Sequence, residues 1–405
     1  MKKLNPCLCA VLVSLLFVAG AHAQKHRTFR LGPTVDVAGG VGNMMGESGF
    51  IPLFGKTVPF FGASPSVEFS TAGERSQLDL GYSYVWERYQ TTPRLAVDSH
   101  VLDAKLTSRL SRGVGLTITD TFRSVPDYSA FRAFRAGPAA SADFSYSFDT
   151  LAARQSITDN NARGQIAIDV TSRSALTFGA SSAFRQYSRD AGYQGWLSDQ
   201  VRTQGDAALS YKASAHTSWR FKYAFIHNNF EKFGTFITQT ASAGLSHQPS
   251  PKYTLDLEAG PSYTIMQDGG EDHPGYIASA GLTRTVRTNR FSVRYNRRAG
   301  DSNGFGSISD THNASADFYQ LLGNRLIAGL NFQGFDSRYR RDSPTRTMRG
   351  YYGSASLGIV LSRNWLLMFG GSYRRNQGWQ YTDIDFSRFM VALRFQAPNL
   401  FRWST

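Results

Sequence analysis

Residues 77–87 read Gln77-Leu-Asp-Leu-Gly-Tyr-Ser-Tyr-Val-Trp-Glu87, and the apolar residues fall on alternate positions. Side chains alternate across a β-strand, so Leu78, Leu80, Tyr82, Tyr84 and Trp86 share one face, with Gln77, Asp79, Gly81, Ser83 and Glu87 opposite. About ten residues is the length of a tilted strand that crosses a membrane. If the unit recurs, the whole chain is a ring of such strands.

It does recur. Val101 to Leu110, Val114 to Thr119, Gln165 to Val170 and Ala175 to Tyr187 carry the same rhythm, and Trp219-Arg-Phe-Lys-Tyr-Ala-Phe225 places an aromatic ring at nearly every second residue. Further hairpins follow down to a closing strand from about Asp383 to Phe395. The count is seventeen strands, or eighteen if Thr34 to Ala38 is the first. The reading is therefore an all-β, antiparallel, up-and-down transmembrane barrel of about 16–18 strands. Short connections such as Ser111-Arg-Gly, Arg287-Thr-Asn and Gly323-Asn alternate with longer polar ones such as Ser188 to Asp199. Aromatic residues at strand ends form two sets, Trp219, Tyr253, Phe291 and Trp365 near the short turns, and Trp86, Phe122, Tyr187, Phe230, Tyr263, Tyr295, Phe335 and Tyr373 near the long loops. Amphipathic rings favour membrane edges, so these sets read as two girdles. A soluble sandwich would gather such rings in one core.

The start of the chain has the pattern of a secretory leader: Lys2 and Lys3, an apolar run from Ala10 to Ala19, then small residues at Ala21 and Ala23. Residues 1–23 are expected to be removed. Cys7 and Cys9 are the only cysteines. They leave with that segment, so the mature chain is expected to have no disulfide or thiolate chemistry. The formal charge of +14 falls to +12 without Lys2 and Lys3. The basic residues are scattered singly, which argues against nucleic acid as a partner. Residues 24–64 read as a first strand, a loop or a partial plug, 65–397 as the barrel, and 398–405 as a C-terminal tail.

Together with the terminal run Arg388-Phe-Met-Val-Ala-Leu-Arg-Phe395, these features resemble outer-membrane β-barrel proteins of Gram-negative type, porin-like in architecture and of no specific family. The last strand resembles the aromatic-ended segment by which such barrels are recognised for insertion. The resemblance implies export to the outer membrane, contact with lipid and lipopolysaccharide, and handling by a barrel-assembly machinery.

With the apolar face toward lipid, the other face lines a lumen. Asp103, Lys105, Arg109, Arg202, Asp206, Lys222, Asp256, Glu258, Arg294 and Asp317 are the pore-lining candidates, and Glu68, Asp79, Asp169, Arg220 and Arg284 are placed on the same face. Rings of such charges set ion or solute preference if water passes them, or pair within the wall if it does not. The long connection after Ser124 carries Phe131-Arg-Ala-Phe-Arg135, whose Arg132 and Arg135 are constriction candidates suited to carboxylate or phosphate. The histidines are dispersed without metal-ligand spacing, so no metal, cofactor or catalytic site is expected. The expected function is a passive channel for ions or small polar solutes, sugars or anions among them. The alternatives are a non-conducting barrel in adhesion, scaffolding or polysaccharide export, or a hydrolase at the rim. The oligomeric state is not legible.

Overall fold

A computed structural model describes residues 28–43, 57–90, 96–126, 156–187, 198–232, 234–267, 272–301, 308–339, 346–377, 384–397 and 401–404. The leader, together with Arg132 and Arg135, lies outside the described residues. Each strand from β1 (Thr28–Asn43) to β18 (Ile384–Gln396) pairs antiparallel with the next, and β18 pairs back onto β1. The result is a closed barrel of eighteen strands, with no helix among the described residues. Closure removes every free sheet edge, the condition for β-structure in lipid.

The opening stretch lies in β3 (Ser76–Tyr89), between β2 (Thr57–Ala72) and β4 (Ala96–Ser111). Its Leu78 pairs with Leu106, which pairs in turn with Ile118 of β5 (Val114–Pro126), so the apolar face continues from strand to strand. The same outward face carries exposed Phe61, Tyr82, Phe178, Phe221, Tyr223, Phe291, Leu330, Phe332, Trp365 and Phe389. Such exposure would be costly in water and suits a lipid-facing wall.

Of the alternatives expected for 24–64, a first strand, a loop or a partial plug, the described residues form strand: β1 and the first half of β2 are barrel strands, paired from Thr28↔Ala72 to Asn43↔Thr57. Alternation is faint there because both faces of β1 hold small residues, Val37, Gly39 and Val41 outward against Ala38, Gly40 and Gly42 inward. Part of the expected tail is strand too. Phe401–Ser404 forms β19, which continues the line of β18 along β1 from Leu31↔Phe401 to Thr28↔Ser404. The ladder is interrupted at Pro33, which has no N–H to give, while its carbonyl accepts a hydrogen bond from the Ala397 amide at 3.0 Å.

Eight hairpins at one end have connections of two to four residues, and both described termini lie at that end. At the other end the connections are longer, except at 231–233, where Gly234 adopts a φ of 82° at the start of β10 (Gly234–Ser250). Three members of the expected upper girdle are reassigned. Tyr187, Phe230 and Phe335 fall on the inward parity of their strands and are buried, and Phe230 stacks on Phe236 with centroids 5.4 Å apart. Strand-end position alone does not fix a face; the register does.

Candidate functional site

The lumen wall divides into two chemically different regions. The first is the seam where β18 meets β1. Here the inward face is apolar: Ala38, Val58, Phe60, Leu366, Met368, Met390 and Ala392 form one buried cluster. Two ion pairs bound it. Arg394 gives Asp36 two hydrogen bonds, Nε to Oδ1 at 2.7 Å and Nη2 to Oδ2 at 2.9 Å, directly across the β1–β18 ladder. Arg388 reaches farther, over β1 and β2, to donate from Nη2 to Glu87 Oε1 of β3 at 2.9 Å. Its guanidinium lies 3.8 Å from the Phe60 ring centroid on the way. The two side chains of this pair are 2% and 0% exposed.

Small residues make that reach possible. A Cβ at Gly62 would stand 2.5 Å from the Trp86 carbonyl oxygen and 3.0 Å from Glu87 Cγ, and one at Gly40 would collide with the Phe389 carbonyl and the Phe60 ring. A charge removed from water to this degree is tolerable only when paired and hydrogen-bonded. Glu87 and Arg388 therefore belong to the architecture of the seam.

The second region lies half the ring away, on β6 (Ser156–Asp169) to β14 (Ile308–Leu322). Arg163 of β6 donates from Nη2 to Asp206 Oδ1 of β8 (Gln200–Lys212) at 2.8 Å. The pair passes over Gly179 of β7 (Ser174–Tyr187), where a Cβ would lie 2.7 Å from that nitrogen. Arg202 donates to Gln204 at 3.3 Å, and Gln204 reaches Asp206 at 3.5 Å. On β9 (Thr217–Phe230), Lys222 interacts electrostatically with Asp206, Arg220, Glu258 and Arg163. Glu258 of β11 (Tyr253–Met266) accepts a hydrogen bond from Ser242 at 2.6 Å. The cluster thus contains three cations and two carboxylates, and Arg202 stands four residues from Asp206 along β8. Arg294 on β13 (Asn289–Asp301) follows inward and exposed, opposite Gly281 and Ser315.

The structure brings Arg202, Asp206, Lys222 and Glu258 of the expected set together. Asp103 and Lys105 face inward on β4, where Thr121 donates to Asp103 at 3.0 Å and Lys105 lies opposite Asp79. Arg109 is exposed near the short-turn end of the same strand. Asp256 faces inward beside Gly281 on β12 (His273–Val286), and Asp317 of β14 accepts a hydrogen bond from Asn331. Arg284 is a correction. It pairs with Tyr253 and Phe291 on the outward face, and its guanidinium sits 5.9 Å from the Tyr253 ring centroid. Counting by twos from Leu282 gives the outward side. Arg163 was missed, although its position between Asn161 and Gln165 on the polar face of β6 carried the necessary parity.

No family profile matches the chain, and no curated protein matches it. Among solved structures it is similar to Acinetobacter baumannii OccAB4, at 8% identity over 93% of this chain and 99% of that one, with a TM-score of 0.49. It is also similar to Pseudomonas aeruginosa OpdQ, at 11% identity over 93% and 98% with a TM-score of 0.48. A third is Pseudomonas aeruginosa OccK2 (OpdF), solved in complex with glucuronate, at 12% identity over 91% and 98% with a TM-score of 0.47.

Proposed function

We propose that this protein is a passive channel of the outer membrane that admits small polar solutes and favours anions. Barrels of sixteen to eighteen strands leave room for an aqueous channel. The observation that carries the reading is the basic arc of the lumen, where Arg163, Lys222 and Arg220 cluster around Asp206 and Glu258, with Arg202 and Arg294 on the flanks. Cations that outnumber nearby carboxylates lower the energy of a passing carboxylate or phosphate, and mixed signs along the path keep that attraction weak enough for release. Arginine adds planar, two-pronged hydrogen bonding to such groups. Loop arginines Arg132 and Arg135 are proposed to narrow the mouth.

Reconstitution in planar bilayers under a salt gradient tests this. Discrete conductance steps with a reversal potential favouring chloride are expected. Replacing Arg202, Lys222 and Arg294 together by Glu shifts the preference toward potassium. Folded protein that gives no discrete conductance sinks the channel reading and leaves adhesion, scaffolding or export, and unchanged selectivity in the triple variant removes these residues from the path.

A further inference from the structure

The outward wall is not uniformly covered by large side chains. On β14, β15 (Leu326–Tyr339), β16 (Arg346–Val360) and β17 (Trp365–Gln377) lies a groove of about 690 Å³. Its floor is Gly353, Ala355 and Gly371, and its rims are Leu330, Phe332 and Tyr373, all outward by register. The glycines are not required by the packing of the wall. A Cβ at Gly353 would meet nothing within 4 Å, and one at Gly371 only the Arg388 carbonyl oxygen at 3.7 Å. Larger side chains would fill this space, as Leu and Phe do elsewhere on the face. The groove therefore has room for an external occupant, and its apolar lining selects an apolar one.

The groove also points toward charge. Along β16 the outward side chains run from Gly353 through Tyr351 to Arg349, which stands about 13 Å above the floor at ~3.3 Å per residue. Arg349 is 64% exposed while it pairs with Asp336 at 2.9 Å. Arg338 on β15 and Arg375 on β17 take outward positions on the same rim. Asp310, Asp336 and Asp385 lie opposite Arg338, Arg349 and Arg375 in register, and Asp310 is already held by Arg297 at 3.2 Å. This rim is at the end with the long connections, which in an outer membrane faces the leaflet of phosphorylated glycolipid.

We propose that this groove is a specific site for one acyl chain of a phosphorylated glycolipid of the outer leaflet, with a headgroup phosphate held by Arg349 and its neighbouring arginines. A floor of glycine and alanine between the side chains of Leu330, Phe332 and Tyr373 suits a single hydrocarbon chain better than the broad face of a second protein copy. Guanidinium recognises phosphate through paired hydrogen bonds, and each methylene buried in the groove adds to the binding. The proposal needs the barrel to lie in a membrane and does not depend on whether it conducts.

Native mass spectrometry of the full chain in detergent, with added bisphosphorylated lipid A, tests the site. The expected result is retention of one lipid A per chain. Retention falls at least tenfold in Arg349→Glu combined with Arg375→Glu, and likewise when the lipid is stripped of both phosphates. Gly371→Leu, which fills the floor, gives the same loss, whereas Ala243→Leu elsewhere on the wall gives none. Should Gly371→Leu fail to fold, the arginine variant and the dephosphorylated lipid decide. Equal retention by all forms, phosphatidylethanolamine held as strongly as lipid A, or a lipid-free dimer abolished by Gly371→Leu would each overturn the proposal.

Discussion

The seam and the basic arc lie on opposite sides of one barrel and use the same residue types for different ends. At the seam, Glu87 and Arg388 are almost wholly removed from water and paired with each other, with Arg388 lying over the Phe60 ring. On the arc, Arg220 and Arg294 are exposed, and Lys222 shares two carboxylates with other cations. The difference teaches that a lumen-facing charge is a candidate for function only where solvent reaches it and its neighbours do not cancel it. Mutations at the seam should therefore act on stability, and mutations on the arc on permeation.

The largest effect is expected at Arg388. Arg388→Met leaves Glu87 buried without its counter-charge, a change that costs about 3–5 kcal/mol in comparable sites. Urea unfolding of the refolded barrel in lipid measures it. Adding Glu87→Leu to the same chain should recover most of the loss, since a matched apolar pair is tolerated where a lone charge is not. If the double variant is no more stable than the single one, the seam is not organised by this pair.

Asp36→Asn comes next. Its partner Arg394 and the carboxylate itself are 13% and 14% exposed, so water compensates part of the lost pair. A cost of about 1.5–3 kcal/mol is expected in the same unfolding measurement. The effect should add to that of Arg388→Met, because the two pairs do not share a partner.

Much of this contrast was legible in the sequence, though not the pairing itself. The alternation from Leu78 to Trp86 fixed which side of β3 faces lipid, and so placed Glu87 in the lumen. Nothing local indicates that its partner is Arg388, 301 residues later, because closure of the ring brings them together. β1 was faint for a related reason: Gly40 and Gly42 keep the seam thin enough for Arg388 to cross, and glycine carries no periodic signal. The arc was easier to read, because Arg202, Asp206 and Lys222 sit on consecutive hairpin strands whose parity is plain. Arg284 and Tyr187 were assigned to the wrong faces because they lie near strand ends, where small errors of counting change the side.

A smaller effect is expected at Gly179, beneath the Arg163–Asp206 pair. Gly179→Ala places a methyl group against the tips of both side chains, which are flexible and can shift. A cost of about 1 kcal/mol is expected, at the low end for overpacking. Arg163→Ala in the same background should then cost less than it does in the parent chain, because the pair is already displaced. Equal costs in the two backgrounds would mean that the pair does not depend on the bare floor at Gly179.

The smallest stability change, and the sharpest test of the comparison, belongs to the arc itself. Arg202→Gln and Lys222→Gln remove charge from partly solvated positions without opening a cavity, so each should change unfolding free energy by about 1 kcal/mol or less. Their signature is in permeation: anion preference, read as reversal potential under a salt gradient, should fall stepwise with each substitution and fall less at high ionic strength, where exposed charges are screened. Arg388→Met, by contrast, should leave the reversal potential of the surviving folded fraction close to that of the parent. A seam variant that alters selectivity as strongly as an arc variant would dissolve the division between the two walls, since it would place the seam's charges in contact with the ion path after all.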